Sequence, residues 1–297
     1  MPAAADSTAP DLPIEQKALL SAAADDEAVS YSGDDALLYA LGVGFGDDPE
    51  EPRELSYVYR QPLLKTVPTL ATMLLKSDFP TADHGWDSGK AIHAEHKLEL
   101  FRPLPAGAKL LASRRVVDVT ENRDGAASAI VVQSDVRMAS DETALFALFC
   151  TLVAGSEHAY GNNGPPPALV RNKLPKRDPD LSCDIRTRPD HSLLFSLSGD
   201  HDPLYADPGT ASAAGFGSPL LHGRCVLGIA CRAILRTICD YDYTLIRGIE
   251  ARLSGPVFPG DTVTTDMWQD RNIVSFRCSV RARRAVVLDG GRCMLSG

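Results

Sequence analysis

The chain repeats itself, and this feature constrains its fold more than any other. Residues 37–42 (LLYALG) align with residues 193–198 (LLFSLS) at an offset of 156, and residues 103–107 (PLPAG) align with residues 256–260 (PVFPG) at an offset of 153. The offsets differ by only three residues across 66 residues of chain, so both matches keep their order and spacing. That is how a duplicated unit reads. Each copy also runs in the same order: a short apolar helix, a loop, a longer apolar helix, then several strands. Two copies suit a length of 297 residues, which corresponds to about two domains.

In the second copy the long helix is predicted over residues 220–238. After Gly223 its strongly polar residues are Arg224, Arg232, Arg236 and Thr237. The three arginines share one side at helical spacing, as a solvated edge or a set of phosphate ligands, and the remaining surface is apolar. Protein should therefore wrap this helix on most sides. Strands are predicted at residues 244–252, 262–268, 273–281 and 285–288, rich in Val, Ile, Thr, Tyr and Phe and bounded by Pro-Gly, Asp-Arg-Asn and Asp-Gly-Gly turns. In the first copy the comparable helix spans residues 63–76, interrupted by Pro68, and strands follow at 91–101, 109–119, 128–138 and 144–153. Residues 157–182 contain Asn162-Asn163-Gly164 and Pro165-Pro166-Pro167 before a charged run, and read as an extended linker. The expected organisation is an α+β unit made twice, over residues 1–156 and 183–297.

Composition narrows the function classes. A formal charge of −9 and 23% charged residues argue against nucleic acid or an anionic membrane as the main partner, since both reward a basic footprint. The N-terminal stretch has neither the basic nor the apolar region of a secretory signal, and the longest apolar run, residues 144–154, is too short to span a bilayer. Seven cysteines with no C-x-x-C pair read as reduced thiols, so a cytoplasmic location is expected. Gly42-x-Gly44-x-Gly46 follows a helical run and has the wrong spacing for a dinucleotide loop; it reads as a flexible connection. His93 and His96 lie three apart on a predicted strand and should face opposite sides, with no third ligand at metal spacing, so no metal site is expected.

Chemistry-bearing residue types concentrate in residues 198–208 (SGDHDPLYADP), followed by residues 216–223 (FGSPLLHG). This stretch resembles the signature of the MaoC-like, or hydratase 2, family of (R)-specific 2-enoyl-CoA hydratases, S-G-D-x-N-P-L-H-x-D-P followed by a P-[IL]-[LV]-H-G helix start. Residues 35–44, 55–59, 67–69, 98–105 and 256–262 are also similar to that family. The resemblance implies a double hot-dog fold in which only the C-terminal copy keeps the catalytic loop and the degenerate N-terminal copy helps house the acyl chain. It implies an acyl-CoA substrate, no separate cofactor, and a site at Asp200, with Gly223 as the oxyanion glycine. Phe216, Gly217, His222 and His93 fall at positions beside the acyl-CoA groove. Hot-dog sheets often pair, so a homodimer is expected.

Hydrating an α,β-unsaturated thioester needs an activated water at Cβ, a proton for Cα, and donors for the charge that develops on the thioester oxygen. Two family positions differ here: Asp202 stands where the family has Asn, and Tyr205 where it has His. A phenol ionises near about 10 and an imidazole near about 6.5, so Tyr205 suits holding water or donating a proton better than acting as a base. A second carboxylate near Asp200 should raise one pKa of the pair, giving an Asp200–Asp202 acid/base pair assisted by Tyr205. His201 should point away from these residues, and Asp207 should close the loop through backbone hydrogen bonds. Two alternatives stay open: a family member that binds acyl-CoA with lost or altered catalysis, and an acyl-CoA thioesterase.

Overall fold

Ten antiparallel strands join into one continuous sheet in the computed structural model, which describes residues 16–48, 50–60, 63–75, 91–121, 127–153 and 172–297. The first half contributes α1 (Gln16–Leu20), β1 (Ala23–Tyr31), α2 (Gly33–Gly42), α3 (Pro52–Val58), β2 (Ile92–Leu100), β3 (Ala108–Glu121), β4 (Ala127–Met138) and β5 (Ala144–Val153). The second contributes β6 (Leu181–Arg186), α4 (His191–Ser196), α5 (Pro208–Ala213), α6 (Gly223–Thr237), β7 (Ile246–Leu253), β8 (Thr262–Asp270), β9 (Ile273–Val280) and β10 (Ala285–Leu295). Across the sheet the order is β1-β3-β4-β5-β2-β7-β10-β9-β8-β6. Each half therefore repeats one five-strand order, and the halves meet where β2 pairs with β7. Both repeated segments take equivalent places: residues 37–42 and 193–198 overlap α2 and α4, and the two Pro-x-x-x-Gly segments join β2 to β3 and β7 to β8. This is the double hot-dog architecture.

The halves differ in their central helix. α6 is buried at every position from 224 to 235, lies against β6, β7 and β8, and reaches the turn at Pro68–Thr72. In the first half, Pro68 opens only that 3-10 turn, and not the helix expected over 63–76. Proline cannot donate to the preceding turn, and the following residues 69–72 are buried within that short turn. Gly228 lets α6 pack tightly on α2, since a Cβ there would fall 2.4 Å from Val43 Cγ1.

Other differences come from pairing across the sheet. β1 carries Asp25, Asp26 and Glu27 and is no strand by propensity; its pairing with β3, bulged between Ala24 and Glu27, makes it one. β6 begins at Leu181, inside the segment read as linker, while the Asn-Asn-Gly and triple-proline runs lie outside the described residues. Asp289-Gly290-Gly291 is a bulge within β10, not a turn, so that strand continues to Leu295.

The Gly42–Gly46 run is a packed turn, not a flexible connection. Gly44 has φ +93°, and a Cβ there would lie 2.7 Å from Arg232 Nη1. Arg232 donates to Glu54 of α3 through Nε at 3.0 Å and Nη2 at 2.9 Å, and the Glu54 carboxylate also accepts from Gly46 N–H at 2.9 Å and Tyr241 Oη at 3.1 Å. Arg232 thus ties α6 to the first half. On the sheet seam, Arg252 of β7 donates at 2.9 Å to the fully buried Glu95 of β2, its register partner.

Candidate active site

The loop after α4 is held open by short side-chain caps. Asp202 accepts from Leu204 N–H at 2.9 Å and starts the 3-10 turn Pro203–Tyr205. Asp207 accepts from Thr210 N–H at 2.7 Å and starts α5. Between these caps the chain turns back so that residues 200 and 205 face the beginning of α6.

Asp200 lies on the inner side of the loop. Its Oδ2 accepts from Arg224 Nη2 at 2.5 Å, with only 10% of the arginine side chain and 16% of the aspartate exposed. Burial pushes the Asp200 carboxyl up, but Arg224, His222 and the Asp202 N–H outweigh it and hold the group below its ordinary value. This corrects the expected electrostatics of an Asp200–Asp202 pair: the charge partner of Asp200 is an arginine one residue past Gly223. The contact from position 202 is its backbone N–H, 3.4 Å from Asp200 Oδ1, and the exposed Asp202 side chain caps the next turn. Neither Arg224 nor Arg232 forms a solvated helix edge, since both are buried against carboxylates from other elements.

His222 occupies the position before α6, yet its ring makes no cap bond to the helix. Nε2–H donates to the Asp200 carbonyl at 3.1 Å, and the ring stacks on Tyr205 with centroids 3.8 Å apart and meets Phe195 in a tilted contact at 4.9 Å. Burial lowers its pKa to about 4, so the imidazole is neutral at pH 7. Tyr205, His222 and Asp200 therefore form one layer over the start of α6. Gly223 is the first residue of that helix, whose leading N–H groups have no partner within the helix and favour developing negative charge. A Cβ at Gly223 would lie 2.5 Å from Leu253 Cδ1, so a larger residue there would have to displace the Leu253 side chain.

The other expected site residues scatter. Phe216 is half-buried and Gly217 exposed on the segment after α5, and His201 is exposed. A groove of about 270 Å³ beside Tyr205 is lined by Leu193, Ser218, Pro219 and Pro259. His93 lies behind Arg224: both line a cavity of about 30 Å³ together with Thr72, Arg114, Ser134 and Cys150. The sequence offered Arg224 only as a solvated edge or a phosphate ligand, not as the charge partner of Asp200. Its signal was a guanidinium directly after the helix-start glycine on an otherwise apolar helix.

Residues 171–289 match the family described as MaoC like domain, and residues 29–155 match the MFE-2 hydratase 2 N-terminal domain. The chain is 34% identical to enoyl-CoA hydratase ChsH3 of Mycobacterium tuberculosis over 94% of this chain and 98% of the relative. It is 31% identical to the peroxisomal enoyl-CoA hydratase 2 of Arabidopsis thaliana over 88% and 89% of the two chains. The crystal structure of a MaoC-like dehydratase from Phytophthora capsici superposes with a TM-score of 0.78 at 29% identity, covering 94% of this chain and 97% of that one. With both halves matched by these domains and relatives above 30% identity along nearly the whole chain, the chain belongs to the MaoC-like, hydratase 2 family.

Proposed function

We propose that this protein is a carbon–oxygen lyase that adds water reversibly to trans-2-enoyl-CoA thioesters, giving 3-hydroxyacyl-CoA, with a bulky or long acyl group as substrate. The observation that carries this reading is the layer of Asp200, Tyr205 and His222 directly over the N-terminus of α6 at Gly223. The thioester oxygen sits at the Gly223 N–H, where the helix start stabilises the enolate that forms as water adds. Water is held between Asp200 and the Tyr205 hydroxyl. As the new C–O bond forms at Cβ, the water proton passes to the Asp200 carboxylate, and the electron pair of the C=C bond moves onto the thioester. The enolate then collapses as Cα takes that proton back from Asp200, so one carboxylate serves as base and then acid. Asp202 positions the loop by capping it, and Phe216, Gly217 and His93 border the acyl-CoA.

The bulky acyl group follows from a two-half architecture in which only one half carries the loop. Among the described residues no helix is long and apolar enough to cross a membrane, and all seven cysteines are unpaired. A reducing, cytoplasmic location and a homodimer complete the proposal, the latter testable by light scattering.

The deciding experiment mixes purified protein with trans-2-enoyl-CoAs from short-chain to steroid-sized, following loss of the conjugated thioester absorbance beside a free-thiol assay. Loss that Asp200→Asn abolishes, without thiol release, supports hydration. Thiol release points to a thioesterase. Tight binding without turnover across the panel points to a family member that binds acyl-CoA and has lost catalysis.

A further inference from the structure

His93 and His96 do not face opposite sides of β2, because the strand is bulged between His93 and Glu95. The extra residue turns both imidazoles to the same side, where they stack with centroids 5.2 Å apart and ring planes within 9°. The neighbouring strand β5 brings a third ligand type to the same place: Cys150 is the register partner of His96, and its Sγ lies 3.3 Å from His96 Nδ1. Ligand atoms of the three residues all fall within 4.8 Å of one another.

We infer that His93, His96 and Cys150 form a binding site for a soft divalent cation, of which zinc is the matching case, at the inner face of the first half. A tetrahedral zinc with bonds of about 2.0 Å to nitrogen and about 2.3 Å to sulfur sets ligand atoms roughly 3.5 Å apart. The His96–Cys150 edge already has that length, and the remaining edges close by about an ångström through side-chain rotation. Two buried ring nitrogens, His93 Nδ1 and His96 Nε2, have no hydrogen-bond partner, a costly state that coordination would relieve at whichever nitrogen binds. The two guanidinium groups on the adjoining cavity wall are each paired with a carboxylate, Arg224 with Asp200 and Arg114 with Glu27 at 2.8 Å, so the cation meets compensated charge. Binding converts the Cys150 thiol to a thiolate and releases its proton to solvent. His93 and Cys150 line the cavity, which leaves the fourth coordination position facing it for a water. The site shares His93 and the Arg224 cavity with the proposed acyl-CoA groove, so its test reads metal binding and not hydration.

The test uses the full chain purified without chelator, with zinc and cobalt as probes. Elemental analysis should give about one zinc per chain, and titration of metal-free protein should release about one proton per metal bound. Cobalt should give the intense visible bands of a four-coordinate ion and a near-ultraviolet thiolate charge-transfer band. Cys150→Ser should remove the charge-transfer band, and His93→Gln should weaken cobalt binding. Should either variant fail to fold, wild-type stoichiometry and the cobalt spectrum decide the matter. Wild-type protein that takes up no zinc, or cobalt that keeps the pale spectrum of the hydrated ion, overturns the proposal. So does a charge-transfer band that persists in Cys150→Ser.

Discussion

Arg224 Nη2 lies 2.5 Å from Asp200 Oδ2 in a nearly buried ion pair that joins the first turn of α6 to the loop after α4. The residue after Gly223 thereby favours the charged form of the aspartate that it faces. Burial alone would favour the neutral acid, and the guanidinium reverses that preference.

Replacing Arg224 with Met should therefore raise the Asp200 pKa, because burial remains after the opposing charge is gone. The acidic limb of the kcat/KM profile should move to higher pH, and kcat/KM at pH 6 should fall by at least about tenfold. A pH–rate series on wild type and Arg224→Met reads this directly. An acidic limb that stays in place would show that Asp200 is not the group titrating there.

Tyr205 offers its ring to His222 and its hydroxyl to the proposed water, and the two roles separate by substitution. Tyr205→Phe should keep the stack and the thermal stability while lowering kcat by about 10²-fold with little change in KM. Tyr205→Ala should also lower the melting temperature. Equal kcat in wild type and Tyr205→Phe would confine the residue to packing.

Asp202 is expected to act through loop geometry. Asn keeps an acceptor for the Leu204 N–H, so Asp202→Asn should preserve both the rate and the pH profile, whereas Asp202→Ala should lose activity through a loosened turn. A shifted pH profile in Asp202→Asn would restore the paired-carboxylate mechanism.

Glu54 is surrounded by donors from both halves, and its side chain and that of Arg232 are 1% and 3% exposed. Glu54→Ala leaves a buried guanidinium uncompensated and should cost about 3–5 kcal/mol by denaturant unfolding. A Glu54→Leu/Arg232→Met double variant should recover most of that loss. A single variant as stable as wild type would remove the pair from any role in joining the halves.

His222 makes stability depend on pH. Its folded pKa of about 4 lies below the ordinary histidine value, so between the two the unfolded chain binds more protons. Stability should therefore fall as pH drops from about 6.5 towards 4, by at most about 3 kcal/mol from this residue. His222→Gln should flatten that part of the curve; an unchanged acid slope would assign it to other groups.

The amino-acid sequence by itself determined the duplication, the α+β class, most strand positions, the buried helix and the loop with Asp200 and Gly223. Each of these is written in local order: apolar periodicity, turn residues, and a motif whose parts lie within 26 residues of one another, from Ser198 to Gly223. Only the tertiary structure decided the partners. β1 became a strand by pairing with β3 despite three acidic residues in a row, and Asp289-Gly290-Gly291 became a bulge because β10 is paired on both sides. Arg224 and Arg232 share a helix side in the sequence, but their roles came from Asp200 and Glu54, which lie 24 and 178 residues away along the chain. One inserted residue in β2 reversed the expected facing of His93 and His96 and set both beside Cys150. Side-chain periodicity on a strand is a local rule that a single bulge resets, and the energy of a buried charge depends on neighbours that only the folded chain supplies.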